Sequence, residues 1–269
     1  MRTADRRVVL GLHRSRHPRD LLTGALDLGV TALDTASSYL AHRSHSRLAA
    51  VAGDLLPKFT LSTKVGYFED GHSLDPGRLR AAVDRAVSDL GREPDVVLLH
   101  NPERSAPEAQ QFSEACAVLV DATAAGTCGS WGISTWDPRP LVDLATPRPD
   151  VLMVRAGLLV GNDVLQAAES LVRAWQPTAV WGMSPFGGST TEAVWEKFDP
   201  RVFMRNSPSA TPVQAALRVA FALPAVQAIA VGTDNVDHLR KLKETLEFEV
   251  DDQAVSEYRQ LLRTWRQPA

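Results

Sequence analysis

The sequence predicts an α/β protein, a (β/α)8 TIM barrel that forms a single domain over residues 1–269 with an extra C-terminal helix. Eight short apolar runs of strand length alternate with amphipathic stretches of helical length. Their average spacing is close to the roughly thirty residues of one β/α unit, and 269 residues is a usual size for eight units. Four of the runs end on a polar residue, as strands do when they deliver a side chain to the functional rim of such a barrel.

The apolar runs are continuous rather than alternating, which is typical of parallel strands that are covered on both faces. With 44% hydrophobic residues, the chain has enough material for a large core. The eight strands are predicted at residues 8–12, 31–34, 60–65, 96–100, 129–134, 151–154, 179–183 and 228–231.

Local signals mark several of the intervening helices. Asp75-Pro76 and Gly91 are a typical start and stop for one helix, and Thr211-Pro212 opens another over 213–223. Further helices are predicted at 107–125, 164–175 and 236–247, and the extra terminal helix at 252–264 should pack outside the barrel. Helix follows strand throughout this prediction. Residues 187–209, rich in Gly, Ser, Thr and Pro around a helical piece at 192–198, predict a mobile loop beside the rim.

The composition excludes several classes of protein. A net charge of -3 gives no basic field of the kind that nucleic-acid binding requires. No apolar run is long enough to span a membrane, and the first residues lack the apolar stretch of a signal peptide, so we expect a cytoplasmic protein. The chain has two cysteines, Cys116 and Cys128, and this number is too small for a disulfide framework or a thiolate metal site. We therefore interpret both as ordinary buried thiols.

Four residues near the predicted strand ends suggest proton chemistry. Asp34, Lys64 and His100 end strands two, three and four, and Tyr39 lies five residues after Asp34. Because neighbouring strands are about 4.8 Å apart, these side chains can converge on one pocket. A phenol has a pKa near 10, and a nearby ammonium should bring that pKa down. We therefore expect Tyr39 to act as an acid tuned by Lys64, Asp34 to hold Lys64, and a neutral His100 to orient a carbonyl oxygen.

These residues belong to short motifs that together resemble a known family, the aldo-keto reductases. The family places Asp, Tyr, Lys and His in this order at these strand ends. The resemblance extends over nearly the whole chain and rests on Asp34-Thr35-Ala36-x-x-Tyr39, Ser62-Thr63-Lys64, Leu98-Leu99-His100, Gly132-Ile133-Ser134, Met183-Ser184-Pro185-Phe186 and Val231-Gly232-Thr233.

The resemblance implies a barrel that binds a nicotinamide dinucleotide and transfers hydride between it and an aldehyde or ketone. NADP(H) is the default cofactor of the family, and NAD(H) is the alternative. Ser134 would then contact the nicotinamide carboxamide, and Gly232 and Thr233 would cradle phosphate at a helix start. The full set of cofactor-binding residues that the resemblance implies is Ser134, Thr135, Met153, Met183, Ser184, Gly232, Thr233, Asn235 and His238.

The sequence departs from the family pattern at four of the cofactor positions. Thr135 stands where the family has Asn, Met153 where it has Gln, and Met183 where an aromatic residue is common. Asp234 occupies a position where a basic residue would contact the 2′-phosphate of NADP, and its charge would repel that phosphate. The choice between NADP and NAD therefore stays open.

The expected partner is a small-molecule carbonyl or alcohol, and the sequence leaves the oligomeric state open. His13 is a candidate for the substrate pocket, and Arg155 is a candidate anchor for an anionic substrate. Specificity should depend on the loops 67–73, 101–107 and 187–209. The segment 42–45 holds two histidines at a spacing that a metal could use, but no third ligand is near, so we interpret it as a solvated loop. Trp136, Trp181 and Trp195 are interpreted as packing residues with pocket-lining as the alternative.

Two further functions remain open on the same barrel. The altered cofactor positions suggest a lyase or isomerase that uses Tyr39, Lys64 and His100 without hydride transfer. A non-catalytic binding subunit is the third alternative, although retention of all four proton-transfer residues argues against it.

Overall fold

Eight parallel strands close into a barrel in which strands adjacent in sequence are also adjacent in space. This computed structural model describes residues 6–205 and 209–264. The strands are β1 (Arg7–Gly11), β2 (Ala32–Asp34), β3 (Thr60–Val65), β4 (Val96–His100), β5 (Ser130–Thr135), β6 (Val151–Arg155), β7 (Ala179–Met183) and β8 (Ala228–Val231). All eight predicted strands are confirmed, with each end within one residue of its predicted position.

Helices surround the barrel on its outside. Among the described residues, those of nine or more residues are α1 (Arg19–Asp27), α2 (Ser44–Ala52), α3 (Pro76–Leu90), α4 (Ala109–Ala124), α5 (Asn162–Trp175), α6 (Pro212–Ala220), α7 (Val236–Glu244) and α8 (Asp252–Thr264). No start signal predicted α1 or α2, and neither helix has a side-chain cap in the structure. None of the helices described here has the length and hydropathy that crossing a membrane requires.

The prediction that a helix follows every strand is wrong at one place. Between β5 and β6 the described chain forms only a 3-10 turn at Arg139–Leu141. Phe112 of α4 and Trp175 of α5 stack across this gap with ring centroids 5.8 Å apart, and Trp175 Nε1 donates a hydrogen bond to Leu144 O at 2.8 Å. The two neighbouring helices therefore close over the position that a helix would have filled.

The segment after β7 is more regular than the sequence suggested. It contains one short helix, Val194–Lys197, and a 3-10 turn, Pro200–Phe203. The pair Met204–Arg205 forms an antiparallel ladder with Glu249–Val250. Residues 206–208 of the predicted loop lie outside the described residues.

The terminal helix α8 packs on the outside of the barrel, as predicted. Its Val255 is buried in a cluster with Leu158 and Phe203. Tyr258 donates a hydrogen bond to Leu158 O at 2.6 Å, and its ring lies 5.4 Å from that of Phe203.

The barrel interior is filled by side chains from alternate strand positions, as expected of a closed parallel barrel. Trp181 of β7 lies among them, which confirms its interpretation as a packing residue. The buried members of this interior cluster are Val9, Ala32, Val96, Leu98, Val151, Met153, Trp181, Ala228 and Ala230. Above this layer, toward the carboxyl ends of the strands, the inward positions become polar.

Candidate active site

The polar residues that end β2, β3 and β4 meet at the carboxyl rim of the barrel. Asp34 pairs in register with Ser62, and Lys64 pairs with Leu98. Side chains alternate between the two faces of a strand, and the parity of these positions directs Asp34, Lys64 and His100 inward. The sequence prediction that these groups converge is therefore confirmed by the geometry.

Lys64 is the centre of the cluster. Its ammonium donates hydrogen bonds to Asp34 Oδ2 at 2.5 Å, to Thr35 O at 2.9 Å and to Tyr39 Oη at 3.4 Å. The lysine is only 1% exposed and Asp34 only 4%. Ser62 Oγ donates to the second carboxylate oxygen of Asp34 at 2.9 Å. A buried charge needs both a counter-charge and hydrogen bonds, and Lys64 has both.

The electrostatics keep Lys64 charged and Tyr39 neutral. Burial alone lowers the pKa of Lys64, but the Asp34 carboxylate and the Tyr39 hydroxyl raise that pKa more, so the net shift is upward. Burial raises the pKa of the Tyr39 phenol, and Lys64 offsets this only in part. The expectation that Lys64 brings the pKa of Tyr39 below its ordinary value is therefore wrong for this structure. Tyr39 carries its proton at neutral pH, which is the form a proton donor needs.

His100 faces the same cluster as a neutral imidazole. Burial, together with the charge of Lys64, lowers its pKa well below the ordinary histidine value. Its Nδ1 is buried and has no hydrogen-bond partner among the described residues. The backbone of His100 is held by His72, whose Nε2 donates to His100 O at 2.8 Å, and Ser105 contacts His72 Nδ1 at 2.7 Å.

Tyr39 stands at the start of an unusual turn. The three residues after it, Leu40, Ala41 and His42, all have a positive φ of 51–63°. Left-handed backbone is uncommon for residues other than glycine and costs on the order of 1 kcal/mol or more each. Leu40 and His42 are half-buried and Ala41 is exposed, and backbone hydrogen bonds close the turn from His42 N to Ser38 O at 3.5 Å and from Arg43 N to Leu40 O at 3.3 Å. The sequence contains no glycine here that would have indicated it.

A cavity of about 720 Å³ opens above the cluster. Its floor includes Asp34, Tyr39, Lys64 and His100, and it extends to Gly232 and Thr233 in the loop that leads from β8 to α7. The remaining wall is formed by Gly11, His13, Arg14, Ser15, Ser38, Leu40, Tyr67, Asn101, Trp136, Met183, Ser184, Pro185, Phe186, Gly188, Ala230, Val231 and Asp234. This volume lies within the range of small-molecule and cofactor sites.

Four of the residues predicted to bind cofactor line this cavity, namely Met183, Ser184, Gly232 and Thr233. Ser134, Thr135 and Met153 are fully buried and lie outside the cavity wall that the structure describes. Ser134 contacts the cavity-lining Met183, with Ser134 Oγ 4.0 Å from Met183 Sδ.

The last two predicted cofactor residues lie at the start of α7. Asn235 caps the helix by accepting a hydrogen bond from the His238 backbone N–H at 3.0 Å, and both residues are exposed. Neither is part of the described cavity wall.

The two predicted substrate residues are placed differently. His13 lines the cavity, with its ring 4.8 Å from that of Tyr39 in an edge-to-face contact. Arg155 lies off the described cavity wall, where its Nε donates to Trp136 O at 2.8 Å and its guanidinium lies over the Trp136 ring. Trp136, 43% exposed, lines the cavity, so the pocket-lining alternative holds for this tryptophan. Trp195 is half-buried and its Nε1 donates to Ser189 O at 3.1 Å.

Sequence reasoning missed a buried polar network beneath the rim. The interpretation of residues 42–45 as a solvated loop is wrong, because Ser44 and His45 begin α2 and are buried. His17 Nε2 contacts Ser44 Oγ at 2.8 Å, and Ser44 Oγ contacts Thr35 Oγ1 at 2.7 Å. Thr35 in turn accepts the Lys64 hydrogen bond through its carbonyl oxygen. The network therefore links α2 to the backbone that holds the lysine.

His45 makes a parallel contact one strand away. Its Nε2 lies 2.7 Å from Thr63 Oγ1 of β3. Burial lowers the pKa of both His17 and His45 to about 4. The sequence does place hydroxyl residues beside two catalytic candidates, Thr35 next to Asp34 and Thr63 next to Lys64. It does not show that histidines would contact these hydroxyl groups.

Comparison with known proteins identifies the family. The sequence profile of the Aldo/keto reductase family matches residues 14–263. The chain therefore belongs to the aldo/keto reductase family of NAD(P)H-dependent oxidoreductases. Among curated relatives, an aldo-keto reductase of Mycobacterium marinum is 24% identical over 239 residues, which cover 86% of this chain and 78% of that protein.

Solved structures share the fold. An aldo-keto reductase from Bacillus halodurans in its holo form has a TM-score of 0.74 and 16% identity, with 95% of this chain and 91% of that one covered. An aldo/keto reductase from Klebsiella pneumoniae in complex with NADP and acetate has a TM-score of 0.71 and 16% identity, with 97% and 93% covered.

Proposed function

We propose that this protein reduces an aldehyde or ketone with a nicotinamide dinucleotide, and catalyses the reverse oxidation of the alcohol. The observation that carries the proposal is the contact of one buried ammonium, Lys64, with both Asp34 and Tyr39 Oη on the floor of a cavity. Family membership supports the same reaction.

The four groups divide the proton chemistry among them. Tyr39, neutral at physiological pH, donates its hydroxyl proton to the carbonyl oxygen. Lys64 stabilises the phenolate that remains, and Asp34 keeps Lys64 protonated and fixed. The neutral ring of His100, which lies on the cavity floor, orients the carbonyl oxygen beside Tyr39 through a hydrogen bond.

The cavity fits a dinucleotide in size and in the groups along its wall. It runs from the catalytic floor to the loop that precedes α7, next to a helix N-terminus of the kind whose backbone N–H groups favour phosphate. The wall residues that would hold the cofactor are Met183, Ser184, Gly232 and Thr233. We retain Ser134, Thr135, Met153, Asn235 and His238 as predicted contacts, although the first three are fully buried in this structure. A bound nicotinamide supplies or accepts the hydride.

NADP(H) is the proposed cofactor because it is the family default, and the Klebsiella pneumoniae relative was crystallised with NADP. Asp234 works against this choice, since its carboxylate lies on the cavity wall near the start of α7. Ser15 Oγ donates to that carboxylate at 2.5 Å and holds it on the cavity wall, where its charge would oppose a 2′-phosphate bound at this end. Binding titrations with NADPH and NADH therefore belong in the first experiment.

Replacing Tyr39 by Phe tests the proposal directly. We expect Tyr39→Phe to lose at least 100-fold in kcat with a simple aldehyde, because general acid catalysis supplies a factor of that order, while the dissociation constant of NADPH changes less than twofold. Tyr258→Phe is the matched control, because Tyr258 lies on α8, its hydroxyl donates to Leu158 O, and it is not part of the described cavity wall. Full activity in Tyr39→Phe would refute the assignment of the proton donor.

One observation favours the alternative of a lyase or isomerase. Ser134, Thr135 and Met153, which would contact a nicotinamide, are buried rather than exposed in the cavity. Product formation from a carbonyl substrate in the absence of any nicotinamide would favour that function. Tight cofactor binding without turnover of any substrate would instead favour a binding subunit.

A further inference from the structure

We propose that Arg14 binds an anionic group of the substrate, so that the preferred substrate is an aldehyde or ketone that also carries a carboxylate. This inference rests on the proposed function, because it concerns what is reduced at the same site. It assigns to Arg14 the role that the sequence suggested for Arg155.

Arg14 is a free cation on the cavity wall. Among the described residues it forms no ion pair, and its guanidinium makes no hydrogen bond. The other cation of the cavity, Lys64, is neutralised by Asp34. Arg155 is unavailable, since it is held against the Trp136 backbone and ring outside the cavity.

The backbone holds Arg14 in a defined position. Ser15 N donates to Leu12 O at 3.2 Å, which closes a tight turn with Arg14 as its third residue. Both ends of this turn are anchored, because Leu12 N donates to Asp34 O at 2.8 Å and Ser15 Oγ donates to Asp234 at 2.5 Å. Arg14 has a φ of 64°, a conformation that favours glycine. Such strain in a residue at a site wall is typical of functional positions.

Arg14 and the proton donor Tyr39 line the same cavity, with His13 between them in the contacts of the wall. Arg14 is the strongest charge acting on His13, whose pKa is lowered first by burial and then by Arg14. The His13 ring in turn contacts the ring of Tyr39. The carboxylate of Asp234, which also lies on the cavity wall, accepts hydrogen bonds from Ser15 Oγ and Arg16 N through its two oxygens and forms no ion pair with Arg14 in the described part of the chain.

A guanidinium matches a carboxylate through two parallel N–H donors, which gives orientation as well as affinity. An anion bound at Arg14 would place the rest of the substrate along the His13 wall toward Tyr39. The same donors could serve the phosphates of the cofactor, and the experiment must distinguish these two sources of anion.

The test compares 4-carboxybenzaldehyde with its neutral methyl ester, methyl 4-formylbenzoate. We expect the wild-type protein to prefer the carboxylate, and Arg14→Gln to lose about tenfold or more in kcat/KM for it, mainly through KM. The ester should change less than twofold. Arg14→Lys should recover part of the loss. Arg16→Gln is the matched control, because the Arg16 side chain lies in the same loop but outside the described cavity wall.

Two readouts separate this inference from the proposed function. Fluorescence titration gives the dissociation constants of NADPH and NADH for each variant. If Arg14→Gln weakens nucleotide binding and affects both aldehydes equally, Arg14 binds the cofactor and the inference is overturned. Calorimetric binding of 4-carboxybenzyl alcohol, lost in Arg14→Gln but not in Arg16→Gln, would support the inference even if no carbonyl is turned over. Turnover without any preference for the carboxylate would overturn it while leaving the proposed function intact.

Discussion

The buried histidines His17 and His45 predict a fold that weakens sharply in mild acid. Each is neutral in the folded protein and has a hydroxyl partner. Protonation would place a charge in a buried site, which is why the pKa of each is lowered from 6.5 to about 4. The unfolded chain binds more protons than the folded one between these values, so stability must rise with pH there. The contribution is complete above about pH 6.5 and is lost as the pH falls toward 4.

The size of the effect follows from the two pKa values. A depression from 6.5 to about 4 corresponds to about 3 kcal/mol for each histidine once the pH reaches the folded pKa. Between pH 7 and pH 5 each site taken alone loses about 2 kcal/mol of the free energy of unfolding. That is a large share of the 5–15 kcal/mol typical of a folded domain.

Urea unfolding followed by circular dichroism at pH 7, 6 and 5 measures this dependence. His45→Gln should reduce the loss between pH 7 and pH 5 by about 2 kcal/mol, because it removes one site while leaving the amide able to contact Thr63. His238→Gln, an exposed position, should leave the loss unchanged. If His45→Gln and the wild-type protein show the same dependence on pH, His45 does not titrate as a buried neutral group and the reasoning fails.

Three further predictions address the charges and the packing. Lys64→Met should lower the free energy of unfolding by about 3–5 kcal/mol, since it leaves Asp34 buried without a counter-charge, and the double variant with Asp34→Asn should recover part of that loss in urea titrations. No recovery would contradict the role of the uncompensated charge. Asp234→Asn should strengthen NADPH binding relative to NADH by about fivefold at low ionic strength, because a negative charge leaves the phosphate end of the cavity; an unchanged ratio of dissociation constants would show that Asp234 does not sense the phosphate. Phe112→Ala should cost about 3–5 kcal/mol of stability, as it opens the contact with Trp175 that fills the missing helix position. A loss below about 1 kcal/mol in the same titrations would show that the loop after β5 closes the gap unaided.

The strands and the convergence of the catalytic candidates could be predicted because both depend on local pattern. An apolar run that ends at Lys64 or His100 predicts a buried strand. It also predicts that the last residue lies at the rim and which face of the sheet its side chain is on. The missing helix after β5 could not be predicted, because its place is taken by Phe112 and Trp175 from elements 63 residues apart in sequence.

The electrostatic errors have a similar origin. The sequence shows that Lys64 can approach Tyr39, but the direction of the pKa shift depends on how deeply the phenol is buried. Arg155 and Arg14 both follow strands and look alike in sequence. Only the fold shows that Arg155 is bonded to Trp136, whereas Arg14 lines the cavity.

The left-handed turn after Tyr39 has a consequence for engineering. Glycine adopts a positive φ without steric cost, so Ala41→Gly would relieve strain in the folded chain but also loosen the segment that carries the acid. A substitution at Ala41 that improves thermal stability would then be expected to reduce turnover. Improvement of the protein for heat resistance should begin far from this turn, on the outer helices.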